Sequence, residues 1–229
     1  MAEKNRLRIN RTGTVINATS QKQEKDLGLA LSTVQRRLEK DFPGIVLDHQ
    51  SQWLLATIVD QLKIDFPKVD FYYNHETSSM RPDGGILSIV DKNKKKYPIL
   101  IAEKKNQGTN EIRAKEGMPK QAKGNAIERL GKNVIGFRTA LLTENIFPFV
   151  CFGDGCDFAD DSSILDRVVT IGMFGALNKE YVHNTDKFNR GTFYFRVKSW
   201  SEDEMAEKCY SIAKASVLYY FSKYKQHNF

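Results

Sequence analysis

Two stretches of the sequence decide the fold, Pro82-Asp83-Gly84-Gly85 and Ile99-Leu100-Ile101-Ala102-Glu103-Lys104-Lys105. The second is an apolar run that ends in three charged residues, a pattern typical of a buried strand with charged groups at its end. The first stands at the start of another strand-like stretch, Gly85 to Val90, and the polar segment Asp91 to Lys96 predicts a hairpin turn between the two strands. We therefore expect two adjacent strands, with Asp83 close to the charged end of the second.

The spacing of the charged residues predicts a metal site. Alternate residues of a strand share a face, so Glu103 and Lys105 are expected to project together while Lys104 points the other way. Two carboxylates from neighbouring strands, Asp83 and Glu103, form an oxygen-rich site suited to Mg²⁺. Such a site assists phosphodiester cleavage, and an ammonium in the position of Lys105 orients the attacking water or stabilises developing charge. Solvated surface charge is the alternative, and the apolar strand ahead of these residues favours the functional interpretation.

A second candidate site lies at the start of a long predicted helix, in Gly124-Asn125-Ala126-Ile127-Glu128-Arg129. Asn pairs bidentately with adenine, Arg pairs with guanine, and Glu accepts from the amino group of cytosine or adenine. A helix N-terminus also favours a nearby phosphate. The segment is therefore a candidate reader of base edges, with an ordinary helix start carrying exposed polar residues as the alternative.

The rest of the chain predicts a mixed sheet with helices on both faces, an α/β fold. Helical spacing of apolar residues predicts a helix from Asp26 to Phe42, a second over 54–62 and a long third through Ala122, Ala126, Leu130, Val134, Phe137 and Leu141. A capping box of Ser201 and Glu204 opens a last helix that runs toward Tyr224. Buried or short strands are predicted at Val69 to Tyr73, Phe147 to Phe152, Val168 to Met173 and Phe193 to Val197, and Gly153-Asp154-Gly155 is predicted to be a turn.

Length and composition set broad limits. The 229 residues are typical of one domain. Residues 1 to about 22 are polar and basic and are predicted to form an extended or mobile arm, with a disordered tail as the alternative. The net charge of +7 favours a polyanionic partner, either nucleic acid or an anionic membrane. The sequence shows no amphipathic basic helix of the kind that would favour the membrane. The three cysteines show neither disulfide nor zinc spacing. With no apolar signal segment and no run of eighteen apolar residues, we expect a cytoplasmic protein with reduced thiols.

Together the motifs resemble those of the EcoRI-type restriction endonucleases. The resemblance rests on three segments over about residues 78 to 135, Ser79-Met80-Arg81-Pro82-Asp83-Gly84-Gly85-Ile86, Ala102-Glu103-Lys104-Lys105-Asn106-Gln107-Gly108 and Gly124-Asn125-Ala126-Ile127-Glu128-Arg129 with Lys132-Asn133. Their order matches that of the family, and so does the distance of 20 residues from Asp83 to Glu103.

The resemblance implies a PD-(D/E)xK nuclease core, Mg²⁺ as cofactor, a homodimer, and cleavage of double-stranded DNA at a short palindrome that leaves a four-base 5′ overhang. A cognate DNA methyltransferase is implied for host protection. Asp83 and Glu103 resemble the metal ligands of the family and Lys105 resembles its catalytic lysine. In the family, one segment reads the four inner base pairs of the recognition site, AATT. The residues that resemble this segment are Asn125, Ala126, Glu128 and Arg129.

The outer base pair of the recognition site is left open. Gln121 and Lys123 depart from the family pattern just ahead of the reading segment. The candidates for outer-base or backbone contacts, with surface charge as the alternative for each, are Arg113, Lys115, Arg167 and Lys187 to Arg190. Two other functions also remain open, a DNA-binding regulator that does not cut and a structure-specific or repair nuclease with the same core.

Overall fold

The computed structural model describes residues 25–106, 114, 117, 125–159, 162–172, 176–183 and 190–229. The predicted arm at residues 1–22 lies outside this part of the chain. The helices are α1 (25–41), α2 (Leu55–Asp65), α3 (Asn125–Ala140), α4 (Ser163–Ile171) and α5 (Glu202–Tyr224), and short 3₁₀ turns follow at Cys156–Phe158 and Gln226–Asn228. The strands are β1 (Val46–Gln50), β2 (Trp53–Leu54), β3 (Ser79–Met80), β4 (Ile86–Val90), β5 (Lys96–Asn106), β6 (Phe149–Asp154) and β7 (Thr192–Arg196).

A mixed five-stranded sheet lies at the centre, in the order β1-β4-β5-β6-β7. The β1-β4 and β4-β5 pairs are antiparallel, whereas β5-β6 and β6-β7 are parallel. The short strands β2 and β3 form a separate antiparallel pair. The predicted hairpin between β4 and β5 is present, and the Asp91 carboxylate accepts the N–H groups of Asn93 and Lys95 within it.

Helices cover both faces of the sheet, as predicted. On one face, α1 and α5 bury an apolar cluster with Leu100, Ala102 and Phe152. On the other, α3 and α4 bury a second cluster with Ile101, Phe149 and Cys151. The sheet is apolar on both sides because each side faces a helix layer, so its central strands read as continuous hydrophobic runs. The described residues contain no helix long and apolar enough to cross a bilayer.

A β-bulge in β5 sets which side chains reach each face. Leu87 pairs with Leu100 and Ser88 with Pro98, so Ile99 is an extra residue in the ladder. Beyond the bulge the alternation is regular, and Ile101 packs in the α3-α4 cluster while Ala102 packs in the α1-α5 cluster. Continuing this alternation, Glu103 and Lys105 follow the Ile101 face and Lys104 follows the Ala102 face, as the sequence predicts.

Two predicted strands are wrong. Val168 to Met173 does not form a strand, because residues up to Ile171 belong to α4, whose buried Ile164 and Val168 lie one helical turn apart. Residue 173 lies outside the described residues. Residues 69–73 are irregular, with Val69 and Tyr72 largely exposed. An apolar run without a neighbouring strand lacks the hydrogen bonds that make it a strand.

Smaller differences occur at element ends. Gly153 and Asp154 end β6 instead of forming a turn, and the chain leaves the strand at Gly155, whose φ is +125°. Strand β1 was not predicted, because its outer residues are partly exposed and its alternation is weak. Helix α3 begins at Asn125 in the described chain. The capping box of Ser201 and Glu204 is confirmed at the start of α5, and the three cysteines are free.

Candidate active site

A tight turn at residues 82–85 holds Asp83 beside the end of β5. The Gly84 N–H donates to the carbonyl oxygen of Ala102 at 2.9 Å, which ties the turn to the strand. A Cβ on Gly84 would lie 2.9 Å from the Cβ of Ala102, so a larger residue would push the turn away. On the other side, Nε2 of His49 lies 2.8 Å from the Gly84 carbonyl oxygen. The backbone position of Asp83 is therefore set by β1 and β5 together.

Gly85 is expected to be intolerant of any side chain. Its φ is +75°, and an added Cβ would lie 2.6 Å from the Gln50 carbonyl oxygen and from Nε2 of His49. We expect Gly85→Ala to lower the free energy of unfolding by about 1–3 kcal/mol. Gly28→Ala is the matched control, since an exposed helical glycine with nothing within 4 Å should gain about 0.5–1 kcal/mol. Urea unfolding of both variants checks this, and equal stabilities would contradict it.

The structure brings Asp83, Glu103 and Lys105 together. Nζ of Lys105 lies 3.1 Å from Oδ2 of Asp83 and also donates to Oε1 of Glu103. The backbone N–H of Asp83 points to Oε2 of Glu103 at 3.4 Å. Both carboxylates thus converge on one ammonium group, at the C-terminal end of the central strand β5.

Glu103 is almost completely buried. Its side chain is 1% exposed, and it lies opposite Cys151 in the β5-β6 register. Burial raises the pKa of Glu103 above its ordinary value, the charge of Lys105 counteracts this, and the charge of Asp83 adds to it. Burial alone would lower the pKa of Lys105, but the two carboxylates outweigh it and raise that pKa, so Lys105 is a stable cation. The site stabilises positive charge placed between its carboxylates.

The two carboxylates fit a divalent metal ion. Mg²⁺ is commonly bound by one or two carboxylates and completes its shell with waters and substrate phosphate oxygens. Asp83 and Glu103 supply this minimum, and the described residues contain no cluster of three or more His, Cys, Asp or Glu side chains. When two carboxylates share one ammonium group and one of them is buried, an added cation stabilises their negative charges. The two carboxylates therefore suit a hard metal ion that takes most of its ligands from water and substrate.

Helix α3 carries the predicted reading segment. Asn125 and Ala126 lie in its first turn, and Glu128 and Arg129 are exposed. The opposite side of the helix is buried against the sheet through Ile127, Leu130, Val134 and Phe137. The exposed pair is therefore free to meet a partner, while the helix itself is fixed by its apolar side.

The same helix also contacts the carboxylate site. Nδ2 of Asn133 donates to Oε1 of Glu103 at 3.2 Å. Asn133 follows the apolar position Leu130 by three residues, so it lies on the inward side of α3. A polar residue within the apolar stripe of a helix is the sequence signal that could have indicated this contact.

The candidates for outer contacts are only partly described. Arg167 on α4 lines a groove with Glu128 and Lys132 of α3. Arg190 lies just before β7. The other candidates, Arg113, Lys115 and residues 187–189, lie outside the described residues. Among the described candidates, the structure brings Arg167 near the reading segment.

Known proteins resemble this chain over most of its length. The sequence model of a family described as "Restriction endonuclease EcoRI" matches residues 10–227. The type II restriction enzyme RsrI of Cereibacter sphaeroides is 27% identical over 240 residues, which cover 89% of this chain and 87% of that enzyme. The type II restriction enzyme EcoRI of Escherichia coli is 28% identical over 149 residues, which cover 62% of this chain and 54% of that enzyme. With the family match extending over nearly the whole sequence, this chain belongs to the EcoRI restriction endonuclease family.

Proposed function

We propose that the protein is a type II restriction endonuclease that uses Mg²⁺ to hydrolyse phosphodiester bonds in double-stranded DNA at a short palindrome with an AATT core, leaving 5′ overhangs. Residues 1–229 form one endonuclease domain in this proposal. The observation that carries it is the convergence of Asp83 and Glu103 on Lys105 at the end of a buried strand. Family membership and the reading segment on α3 support the choice of DNA as substrate.

In the proposed mechanism, Asp83 and Glu103 hold the metal ion and Lys105 acts on the reacting groups. When bound, Mg²⁺ would neutralise charge on the scissile phosphate and lower the pKa of a coordinated water. The Lys105 ammonium orients the attacking water and stabilises the negative charge that develops on the phosphate oxygens. Attack of the water oxygen on phosphorus then forms one P–O bond and breaks the P–O bond to the departing deoxyribose oxygen. The water gives up a proton to the solvent, and the departing oxygen takes up a proton to leave as a hydroxyl group. Asn133 holds Oε1 of Glu103 on the side of α3.

We assign base reading to Asn125, Ala126, Glu128 and Arg129. The exposure of Glu128 and Arg129 at the start of a firmly packed helix supports this assignment, because a reader must reach the base edges from a rigid support. Lys132 is exposed on the same helix and supplies a positive charge suited to a phosphate contact. The net charge of +7 supports attraction to DNA in general.

Incubation of plasmid DNA with the protein and Mg²⁺ tests the function. We expect discrete fragments whose sequenced ends carry AATT at the centre of the site. Absence of cleavage in the presence of tight DNA binding would favour a regulator, and non-specific nicking would favour a structure-specific or repair nuclease. A reaction that contains excess chelator is the matched control and should leave the plasmid intact.

We expect the protein to act as a homodimer. Cutting both strands of a palindrome at equivalent positions requires two equivalent active sites, which a two-fold dimer supplies. Light scattering of the protein, free or bound to DNA, should report twice 26.2 kDa. A monomer in both states would contradict the prediction.

A restriction endonuclease of this kind requires protection of the host genome. We therefore propose that it acts in the cytoplasm, together with a cognate DNA methyltransferase that modifies the same palindrome. In this assignment double-stranded DNA is its partner and no membrane is involved.

A further inference from the structure

The last residues of β5 use both faces of the sheet. Glu103 and Lys105 lie on the face of α3 and form the carboxylate site. Lys104 projects to the opposite face, where β6 ends and α5 is about to begin. The side chain of Lys104 is 4% exposed, so its charged group lies inside the protein. A buried ammonium one residue away from two candidate catalytic residues requires an explanation.

Asp154, the last residue of β6, is the partner of Lys104. Its side chain is fully buried, and Nζ of Lys104 lies 3.4 Å from its Oδ2. Oδ1 accepts from Nδ2 of Asn106 at 2.7 Å, and Oδ2 accepts the backbone N–H of Trp200 at 3.2 Å. Asp154 therefore joins the end of β5 to the segment that leads into α5.

A contribution to the stability of the folded protein does not explain this ion pair. Moving two charges out of water has a large free-energy cost, and apolar residues of similar volume are often at least as stable. In the described part of the chain Nζ of Lys104 has no hydrogen-bond partner, so the ion pair with Asp154 compensates its burial. What the pair does provide is a fixed position, because the ammonium is held where Asp154 lies.

The backbone of Lys104 connects this pair to the active site. Its N–H donates to Oδ2 of Asp83 at 3.1 Å, the same oxygen that lies 3.1 Å from Nζ of Lys105. The peptide that holds Asp83 on one side is thus anchored by its own side chain on the other. We infer that Lys104 is a positioning residue of the active site: its ion pair with Asp154 fixes the strand end so that Asp83 and Glu103 present their oxygens to one metal ion.

The inference rests on the proposed function, and Lys104→Met tests it. Methionine keeps the unbranched chain and removes the charge. Groups that orient metal ligands typically change metal affinity by tenfold to a hundredfold, so we expect the Mg²⁺ concentration for half-maximal cleavage to rise by about tenfold or more. DNA affinity without metal should stay within about twofold, because phosphate and base contacts lie elsewhere. Mn²⁺ binding to the free protein, followed by loss of the paramagnetic signal of the free ion, should weaken by a similar factor.

Lys223→Met is the matched control. Nζ of Lys223 lies 2.7 Å from the largely buried Glu144, at the end of α5, and the same substitution removes that ammonium. We expect the control to change thermal stability without shifting the Mg²⁺ dependence or the Mn²⁺ affinity. Equal shifts in the two variants would overturn the inference, as would a Lys104→Met protein with the metal dependence of the wild type.

Asp154→Asn provides an independent variant in case Lys104→Met does not fold. It keeps the size of the side chain and an oxygen for the Trp200 N–H, and it removes the charge that holds Lys104. We expect a shift of metal dependence in the same direction, and its absence in the folded protein would overturn the inference. Failure of the proposed function is distinguishable, because then the wild-type protein itself would not cleave DNA with Mg²⁺.

Discussion

Replacing Glu103 by Gln is expected to abolish DNA cleavage and to leave specific DNA binding measurable. The substitution keeps the shape of the side chain and removes a charge that lies in direct contact with Lys105. A neutral amide is a poor ligand for Mg²⁺, so the stabilisation of the phosphate charge is lost with the metal. We expect the cleavage rate at saturating DNA to fall by about a thousandfold or more. Single-turnover cleavage in Mg²⁺ measures the effect.

Binding should survive because it depends on other residues. Glu103 is 1% exposed and faces Lys105 and Asn133. The proposed DNA contacts Glu128 and Arg129, by contrast, are exposed on α3. Gel-shift titration with a specific duplex in the absence of metal should therefore give a Kd within about tenfold of the wild type. A Glu103→Gln protein that cuts at the wild-type rate would sink the assignment of Glu103 as a metal ligand.

Two further variants separate the chemistry from general effects of charge. Lys105→Ala removes the ammonium that meets both carboxylates, and loss of cleavage should again be its main effect. Glu207→Gln is the matched control, since Glu207 is a largely exposed acid on α5 that pairs with Arg37. The control should cut at the wild-type rate, because exposed ion pairs contribute little to stability.

The sequence predicted the face assignment of the site because a strand alternates strictly. The charges at the end of β5 could be assigned to faces from their order alone, and the structure agrees for Glu103, Lys104 and Lys105. The bulge at Ile99 was not visible in the sequence, since an extra residue in an apolar run changes no residue type. It lies before the charged residues, so the prediction for them was unaffected.

Long-range partners were the part that sequence could not supply. The contact of Asn133 with Glu103 spans 30 residues, and that of Lys104 with Asp154 spans 50. Both depend on how α3 and β6 pack against β5, which periodicity does not define. The wrong strand at Val168 has a similar cause, because a short apolar run is compatible with either a strand or one side of a helix.

Arg129→Lys is expected to reduce the preference for AATT-centred sites. From base-edge chemistry alone, Arg129 would be expected to contact guanine, and Glu128 would be expected to contact either cytosine or adenine. The proposed function assigns these residues, with Asn125 and Ala126, to an AATT core instead. Lysine keeps the positive charge and loses the planar fork that fixes bidentate geometry. The variant therefore separates reading of bases from general attraction to DNA.

The expected loss of cleavage in Arg129→Lys follows from the free energy that one bidentate contact contributes to discrimination between bases. Each such contact contributes about 1–3 kcal/mol of discrimination, so cleavage at AATT-centred sites should fall by roughly tenfold to a hundredfold or more. Non-specific affinity should fall less, because the charge that attracts phosphates remains. Arg129 is exposed on α3, so we expect the fold to tolerate the change. Arg36→Lys, on the exposed side of α1, is the matched control and should leave the preference unchanged.

The measurement is cleavage of matched duplexes that differ in their four central base pairs. Wild-type protein should cut the AATT duplex far faster than GGCC or GATC duplexes, and Arg129→Lys should narrow that ratio mainly by slowing AATT cleavage. If the wild type cuts all three equally fast, the AATT assignment is wrong although the carboxylate site still stands. If the wild type prefers AATT and Arg129→Lys keeps the full preference, then Arg129 does not read the core. In that case the reading contacts must come from other residues, because a lysine cannot reproduce the paired hydrogen bonds of a guanidinium group.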